Sequence, residues 1–348
     1  MSIRVRPMVS ADRVAWDAYV AASDQAGFLH RAGWQDVVSR TTGYDTPFLL
    51  AERNGSLSGI LPLALRRSVL FGRSGVSLPF CVAAGPVADD GESLRALDEE
   101  AWRRTRAIGG RALEYRGVAA DQARRAGWHV DDGTSASFVG PLAGSEDARL
   151  AAIPRKQRAV VRKALKAGLR VTLGPDQLDS FYALYADSVH RLGTPVFPAT
   201  LFRMLLRTFP DNVEIALVRD RHDRPVASLM SFYHGHTVMP YYAGSVAEAR
   251  RLGAHDFMYF DLMNRAAERG FTRFDFGRSR VGSGPYHFKK HWGFTPQPLA
   301  TAWHLAPGAT PLAPDREHGL MALASRIWRH LPLTVANRLG PPLARHLG

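Results

Sequence analysis

Lysine is scarce in this chain, and its placement is the first chemical signal. The 348 residues carry 45 Lys and Arg against 32 Asp and Glu, a formal net charge of +13. Only five of the basic residues are lysines: Lys156, Lys163, Lys166, Lys289 and Lys290. Lys289 and Lys290 lie in Phe288-Lys289-Lys290-His291-Trp292-Gly293-Phe294, just behind Tyr286. Three residues apart on a helix, Tyr286 and Lys289 share a face. A phenol and an ammonium side by side offer a proton donor and a stabiliser of developing negative charge. These two are the candidate catalytic residues.

The other three lysines fall in a basic segment, 155–167, closed by Gly168. Arg155, Arg158, Arg162 and Lys166 recur at spacings of three, four and four, which lines them along one helical face. Such a stripe suits phosphate groups of a donor or acceptor, and a solvated surface face is the plain alternative. Val160, Val161, Ala164 and Leu165 are expected on the buried side. Arg191 follows a helix and opens a loop, which makes it a candidate acceptor contact together with His190. Asp275 and Arg278 flank Phe276-Gly277, where they are candidates for orienting a substrate or for pairing with each other.

Several chemistries lack their residues. Cys81 is the only cysteine, so an intramolecular disulfide and a cysteine-based zinc or iron–sulfur site are excluded. There is no G-x-S-x-G and no HExxH. Asp275-Phe276-Gly277 stands without the other kinase segments. No run reaches the ~18 apolar residues of a membrane span, and the N-terminal residues lack the apolar core of a secretory signal. A cytoplasmic protein is expected.

The elements that position these residues fall into two similar series. In the first half, strand patterns at 3–6, 47–53, 59–66, 77–87 and 112–116 alternate with helix patterns at 12–22, 28–43 and 94–108. In the second, helices at 155–167, 177–192, 198–208 and 254–269 alternate with strands at 169–173, 213–219, 226–234, 237–243, 272–276 and 298–305. Two copies of one α/β unit is the economical reading. It places the units at 1–150 and 151–306. A Pro-rich break at 307–315 then leads into an amphipathic, Arg-bearing tail, 307–348. Residues 316–348 suit either peripheral contact with an anionic membrane face or packing on the domain.

Arg250 and Gly253 precede a helix N-terminus, whose unpaired amides bind anions. This resembles the pyrophosphate loop of the GNAT acyltransferases, with His255 where that pattern ends in a small residue. Phe288, Lys289, Trp292 and Gly293 match a Phe-Lys-two residues-aromatic-Gly segment of the FemAB (FemABX) family. The stretches RLGTPVFP (191–198), YYAGS (241–245), AHDFMYFDLMNRAAERG (254–270), FDFGRS (274–279) and FKKHWGF (288–294) are similar to the FemAB-like proteins of exosortase/PEP-CTERM exopolysaccharide systems. Phe28, His30 and Trp34 carry a looser match in the first half.

The resemblance implies two tandem GNAT-like units with mixed, mostly antiparallel sheets flanked by helices. It implies acyl or aminoacyl transfer to an amine of a peptidoglycan-type or glycan precursor, with acyl-CoA or aminoacyl-tRNA as co-substrate and no tightly bound cofactor or metal. Lys289 would then face the donor ester. Tyr242, Arg250, Arg251 and Gly253 would hold the donor, and Arg155, Arg158, Arg191, Tyr241, Asp275 and Arg278 would line the acceptor side. The open alternatives are an acetyl-CoA-dependent N-acetyltransferase of an amino sugar or lipid-linked glycan, and a catalytically silent GNAT-like module.

Overall fold

The computed structural model describes residues 3–69, 72–118, 123–311 and 319–347. The start of the expected tail and part of the Pro-rich break, 312–318, lie outside the described residues. The chain divides into two compact units, 1–135 with 298–314 and 345–348, and 136–297 with 315–344.

The first unit holds two sheets. One runs Ile3–Pro7, Leu49–Arg53, Ser56–Leu61 and Val87–Ala88, all antiparallel. Asn54-Gly55 makes the expected hairpin turn, with both residues at positive φ. The sequence expectation of one strand through 59–66 breaks at Pro62. Proline has no N–H to give the ladder, and the chain re-enters as Leu63–Ser68 in the second sheet. That sheet runs Leu63–Ser68, Gly72–Ser77, Ala112–Val118, Ala300–Leu305 and Trp128–Asp131. The strand expected at 77–87 is instead Gly72–Ser77, followed by a loop in which Leu78 and Phe80 take positive φ. Helix Gly91–Ala107 starts where Asp90 accepts hydrogen bonds from the amides of Glu92 and Ser93, each 2.9 Å. It buries Leu97 and Ala101 against Leu49, Leu61, Leu113 and Tyr115.

In the second unit one six-stranded sheet runs Val139–Pro141, Arg273–Asp275, Thr237–Ser245, Pro225–His234, Val213–Arg219 and Arg170–Leu173. Every neighbouring pair is antiparallel except Thr237–Ser245 with Arg273–Asp275, which is parallel. Helices Leu178–Arg191 and Ala254–Glu268 cover the sheet, and Phe138, Leu229, Val238, Phe260, Phe274 and Trp292 form the centre of its core.

Two segments therefore differ from the boundaries read at 150 and 306. Val139–Pro141 pairs with Arg273–Asp275 in the second unit, and Ala300–Leu305 pairs on both sides within the first. Backbone pairing across more than 100 residues of sequence decides this, and local periodicity carries no record of it. Helix Arg155–Leu165 buries Val161 and Ala164, while Val160 and Leu165 are exposed. The buried stripe is narrower than the apolar pattern implied.

Candidate functional site

Helix Gly284–His291 carries Tyr286 and Lys289. Ser283 caps it, accepting from the Tyr286 amide at 3.4 Å, and Pro285 sits in its first turn where a missing N–H costs nothing. Phe288 and Trp292, four residues apart, both turn into the core. Trp292 meets Phe276 at 5.9 Å and Tyr259 at 6.4 Å between ring centroids. Phe294 closes on Phe276 at 4.8 Å. The aromatic residues of the 288–294 segment are thus the anchor of the helix, and they fix where the residue between them points.

That residue is Lys289. It is 8% exposed, whereas the other four lysines are exposed. Its Nζ donates to the main-chain carbonyls of Gly277, 3.0 Å, and Arg278, 3.1 Å. It also stands 5.4 Å from the centroid of the Phe138 ring, within cation–π range. Burial lowers its pKa to about 8. The Asp275 carboxylate opposes that shift and the Arg278 guanidinium adds to it. At neutral pH the group is still mostly an ammonium. An ammonium has three donors, so two hold the loop and a third is left over.

The loop is itself prepared for this. Asp275 accepts from the Gly277 amide at 2.7 Å, which folds the turn after strand Arg273–Asp275. Burial raises the Asp275 pKa, and the Gly277 amide and Lys289 hold it down. Tyr286 packs edge-on against Phe138, with centroids 5.4 Å apart. Tyr286 and Lys289 therefore meet the same ring, as the i, i+3 spacing requires. Asp275, Arg278, Tyr286 and Lys289 are brought together.

The two parallel strands beside this loop pair at only two positions, Thr237 with Arg273 and Val238 with Phe274. Thr237–Ser245 then runs on while the other chain turns away at Gly277. Beyond Val238 the backbone of Thr237–Ser245 has no ladder partner in Arg273–Asp275. Tyr241 and Tyr242 lie on the longer strand. Tyr242 is buried among Tyr185, Phe197 and Phe202, and Tyr241 is half-buried and stacks on Phe232 at 4.8 Å. Tyr242 thus packs the core, and Tyr241 is the more accessible of the two.

The helix start that follows is packed against by the protein's own groups. Helix Ala254–Glu268 begins at Gly253, whose φ is +66°. A Cβ there would come within 2.9 Å of the Ala164 Cβ, so helix Arg155–Leu165 packs directly on this glycine. Asp256 lies in the first turn and accepts from Gln157. A carboxylate in the first turn puts the protein's own negative charge at the end of the helix that would attract a phosphate. Arg250 and Arg251 are exposed on the single turn Ala249–Leu252.

The remaining expected residues are spread. Arg155 is exposed, and Arg158 donates back to the carbonyls of Ile153 and Ala151, each 3.0 Å, so it ties down the preceding helix end. Arg191 pairs with Asp187 and donates to the Ser245 carbonyl and the Ser188 hydroxyl. Burial and Arg191 both lower the pKa of His255, which favours its neutral imidazole. Asp187, Ser245 and His255 were not singled out as a group from the sequence. The i, i+4 spacing of Asp187 and Arg191 was the one available signal.

Residues 155–290 match the family model for the Acetyltransferase (GNAT) domain. That span, 136 of the 348 residues, holds Lys289, Tyr286 and the parting strands, and likens this part of the chain to an acyltransferase domain of GNAT type. The fold of the whole chain is similar to a crystal structure of FemX, at 17% identity and TM-score 0.71, covering 88% of this chain and 97% of that one. It is similar to a tandem GNAT protein from the clavulanic acid biosynthesis pathway, at 15% identity and TM-score 0.57, covering 89% and 100%. The C-terminal domain of a putative lysylphosphatidylglycerol synthetase from Agrobacterium fabrum matches at 16% identity and TM-score 0.57, covering 85% and 92%. These likenesses show the fold, a tandem GNAT-like α/β architecture. No curated protein gives a significant sequence match.

Proposed function

We propose that this protein transfers an acyl or aminoacyl group from an ester or thioester donor to an amine of a phosphate-bearing cell-envelope or exopolysaccharide precursor. The carrying observation is Lys289: a buried ammonium, fixed by two carbonyls, with one N–H to spare. The acceptor amine attacks the donor carbonyl carbon and a C–N bond forms. The Lys289 N–H binds the oxyanion where charge develops. Collapse breaks the bond to the leaving thiolate or alkoxide. The Tyr286 hydroxyl gives that group a proton and recovers one from the new ammonium nitrogen.

GNAT domains use acyl-CoA as co-substrate, and an acyl-CoA is the first donor to test. Asp256 and the packing on Gly253 favour a donor gripped at its acyl end and not through a diphosphate at the helix N-terminus. An aminoacyl ester on tRNA is the second reading on that ground. FemX and the lysylphosphatidylglycerol synthetase among the structural relatives, together with the 288–294 resemblance, support an envelope acceptor. Thermal-shift titration with acetyl-CoA, longer acyl-CoAs and aminoacyl-tRNA distinguishes the donors. If no donor stabilises the fold and none is consumed in the presence of amine acceptors, the chain is a silent GNAT-like module and the proposal fails.

A further inference from the structure

The C-terminal helices Gly319–His330 and Leu333–Leu347 are built inside out for a pair that serves only to pack on its own domain. Their contacts with the second unit run through small residues. Gly193, at φ +73°, lies so close under the first helix that a Cβ would fall 2.2 Å from the Ser325 hydroxyl and 2.9 Å from the Arg329 Nε. Gly340 of the second helix lies against Val196, and Ala336 and Ala344 are buried. Trp328 is the one large side chain with described burial here that turns inward.

Several large aliphatic side chains point the other way. Leu323 is 53% exposed, Ile327 56%, Val335 40% and Leu339 46%. Leu323 and Ile327 are four apart, as are Val335 and Leu339, so each helix presents an apolar stripe to solvent. Arg326, Arg329 and Arg338 are exposed on the same helices. From 319 to 347 there are four arginines and two histidines, and no aspartate or glutamate. Among the described residues no helix is long and apolar enough to cross a membrane.

We propose that this helical pair docks on an anionic phospholipid surface. Exposed aliphatic stripes enter the headgroup–acyl boundary while arginines reach phosphate from flexible stems. The exclusively cationic charge is what selects an anionic lipid surface as the occupant. A docking face for another protein would have to tolerate four arginines with no balancing acid of its own, whereas a lipid surface pairs with all of them at once. This inference rests on the tail alone and is independent of the acyl-transfer reading.

The test is flotation of the full chain with phosphatidylcholine vesicles, with and without phosphatidylglycerol. The expected result is flotation with the anionic vesicles only, weakening as salt rises. Leu323→Ser with Ile327→Ser, and separately Arg326→Glu with Arg338→Glu, should each cut it by about 10-fold or more, with thermal unfolding unchanged, since all four side chains are exposed. Equal flotation with neutral vesicles overturns the proposal, as does flotation that neither pair of substitutions affects. Light scattering on the same variants covers the competing occupant. A wild-type dimer that the substitutions convert to monomer assigns the face to a second copy and overturns the lipid reading.

Discussion

The Lys289 ammonium donates to the Gly277 carbonyl across 3.0 Å, from a position only 8% exposed. This bond, with a second to the Arg278 carbonyl, joins the helix that carries the candidate catalytic pair to the loop where the two parallel strands separate. Burying a lysine opposes its charge, and a lysine placed only to hold a loop gains little over a neutral donor that would do the same. The cost makes chemical sense where an ammonium is wanted beside a developing oxyanion.

The lowered pKa sets a pH limb. With Lys289 titrating at about 8, transfer to a weakly basic amine should fall as pH rises through 8. The same shift acts on stability. The folded value lies below the ordinary 10.5, so burial of the charge costs about 3 kcal/mol at pH 7. That cost fades as pH rises from 8 to 10.5, because the unfolded chain then holds the extra proton. Wild type should gain stability on Lys289→Met over that window in denaturant unfolding; parallel curves would argue against a buried titrating lysine.

The Asp275 carboxylate favours the charged form of Lys289. Asp275→Asn removes the carboxylate that raises the Lys289 pKa, so the alkaline limb should move to lower pH. The turn at Gly277 is retained, because the amide oxygen of Asn accepts the same bond. A pH–rate profile identical to wild type would remove Asp275 from the account.

Tyr286→Phe should slow transfer by ~10²-fold when the leaving group is basic. With an activated aryl ester donor, whose leaving group needs no proton, the loss should nearly vanish. An equal loss with both donors would mean that Tyr286 acts by packing on Phe138 and not as an acid.

Trp292→Ala empties a fully buried site between Phe276 and Tyr259. Chemical denaturation should show a loss of ~3–5 kcal/mol. A loss under ~1 kcal/mol would contradict the view that the aromatic residues of 288–294 are the structural frame around Lys289.

Much of this was legible in the residues. The lysine count pointed to Lys289, and the i, i+3 spacing put Tyr286 on its face. The order of helices and strands gave the doubled α/β plan. What stayed hidden depends on long-range contact. No local pattern says that Ala300–Leu305 pairs with Ala112–Val118, or that Val139–Pro141 joins Arg273–Asp275. The motif at Arg250 and Gly253 suggests an anion site, yet Gln157 and Ala164, some 90 residues earlier, pack onto that helix start. Arg158 has the spacing of a phosphate ligand and spends its guanidinium on the carbonyls of Ile153 and Ala151. Charge patterns reveal which side chains are available to a face, and only packing shows which are already engaged.

Single-turnover acyl transfer by wild type and Lys289→Met, with a donor that binds and a saturating amine, tests the central claim most directly. Methionine keeps the volume and removes the charge, and circular dichroism checks that the fold survives. The account predicts a ~10²–10³-fold lower rate with donor affinity nearly unchanged. Transfer by Lys289→Met at the wild-type rate would contradict it.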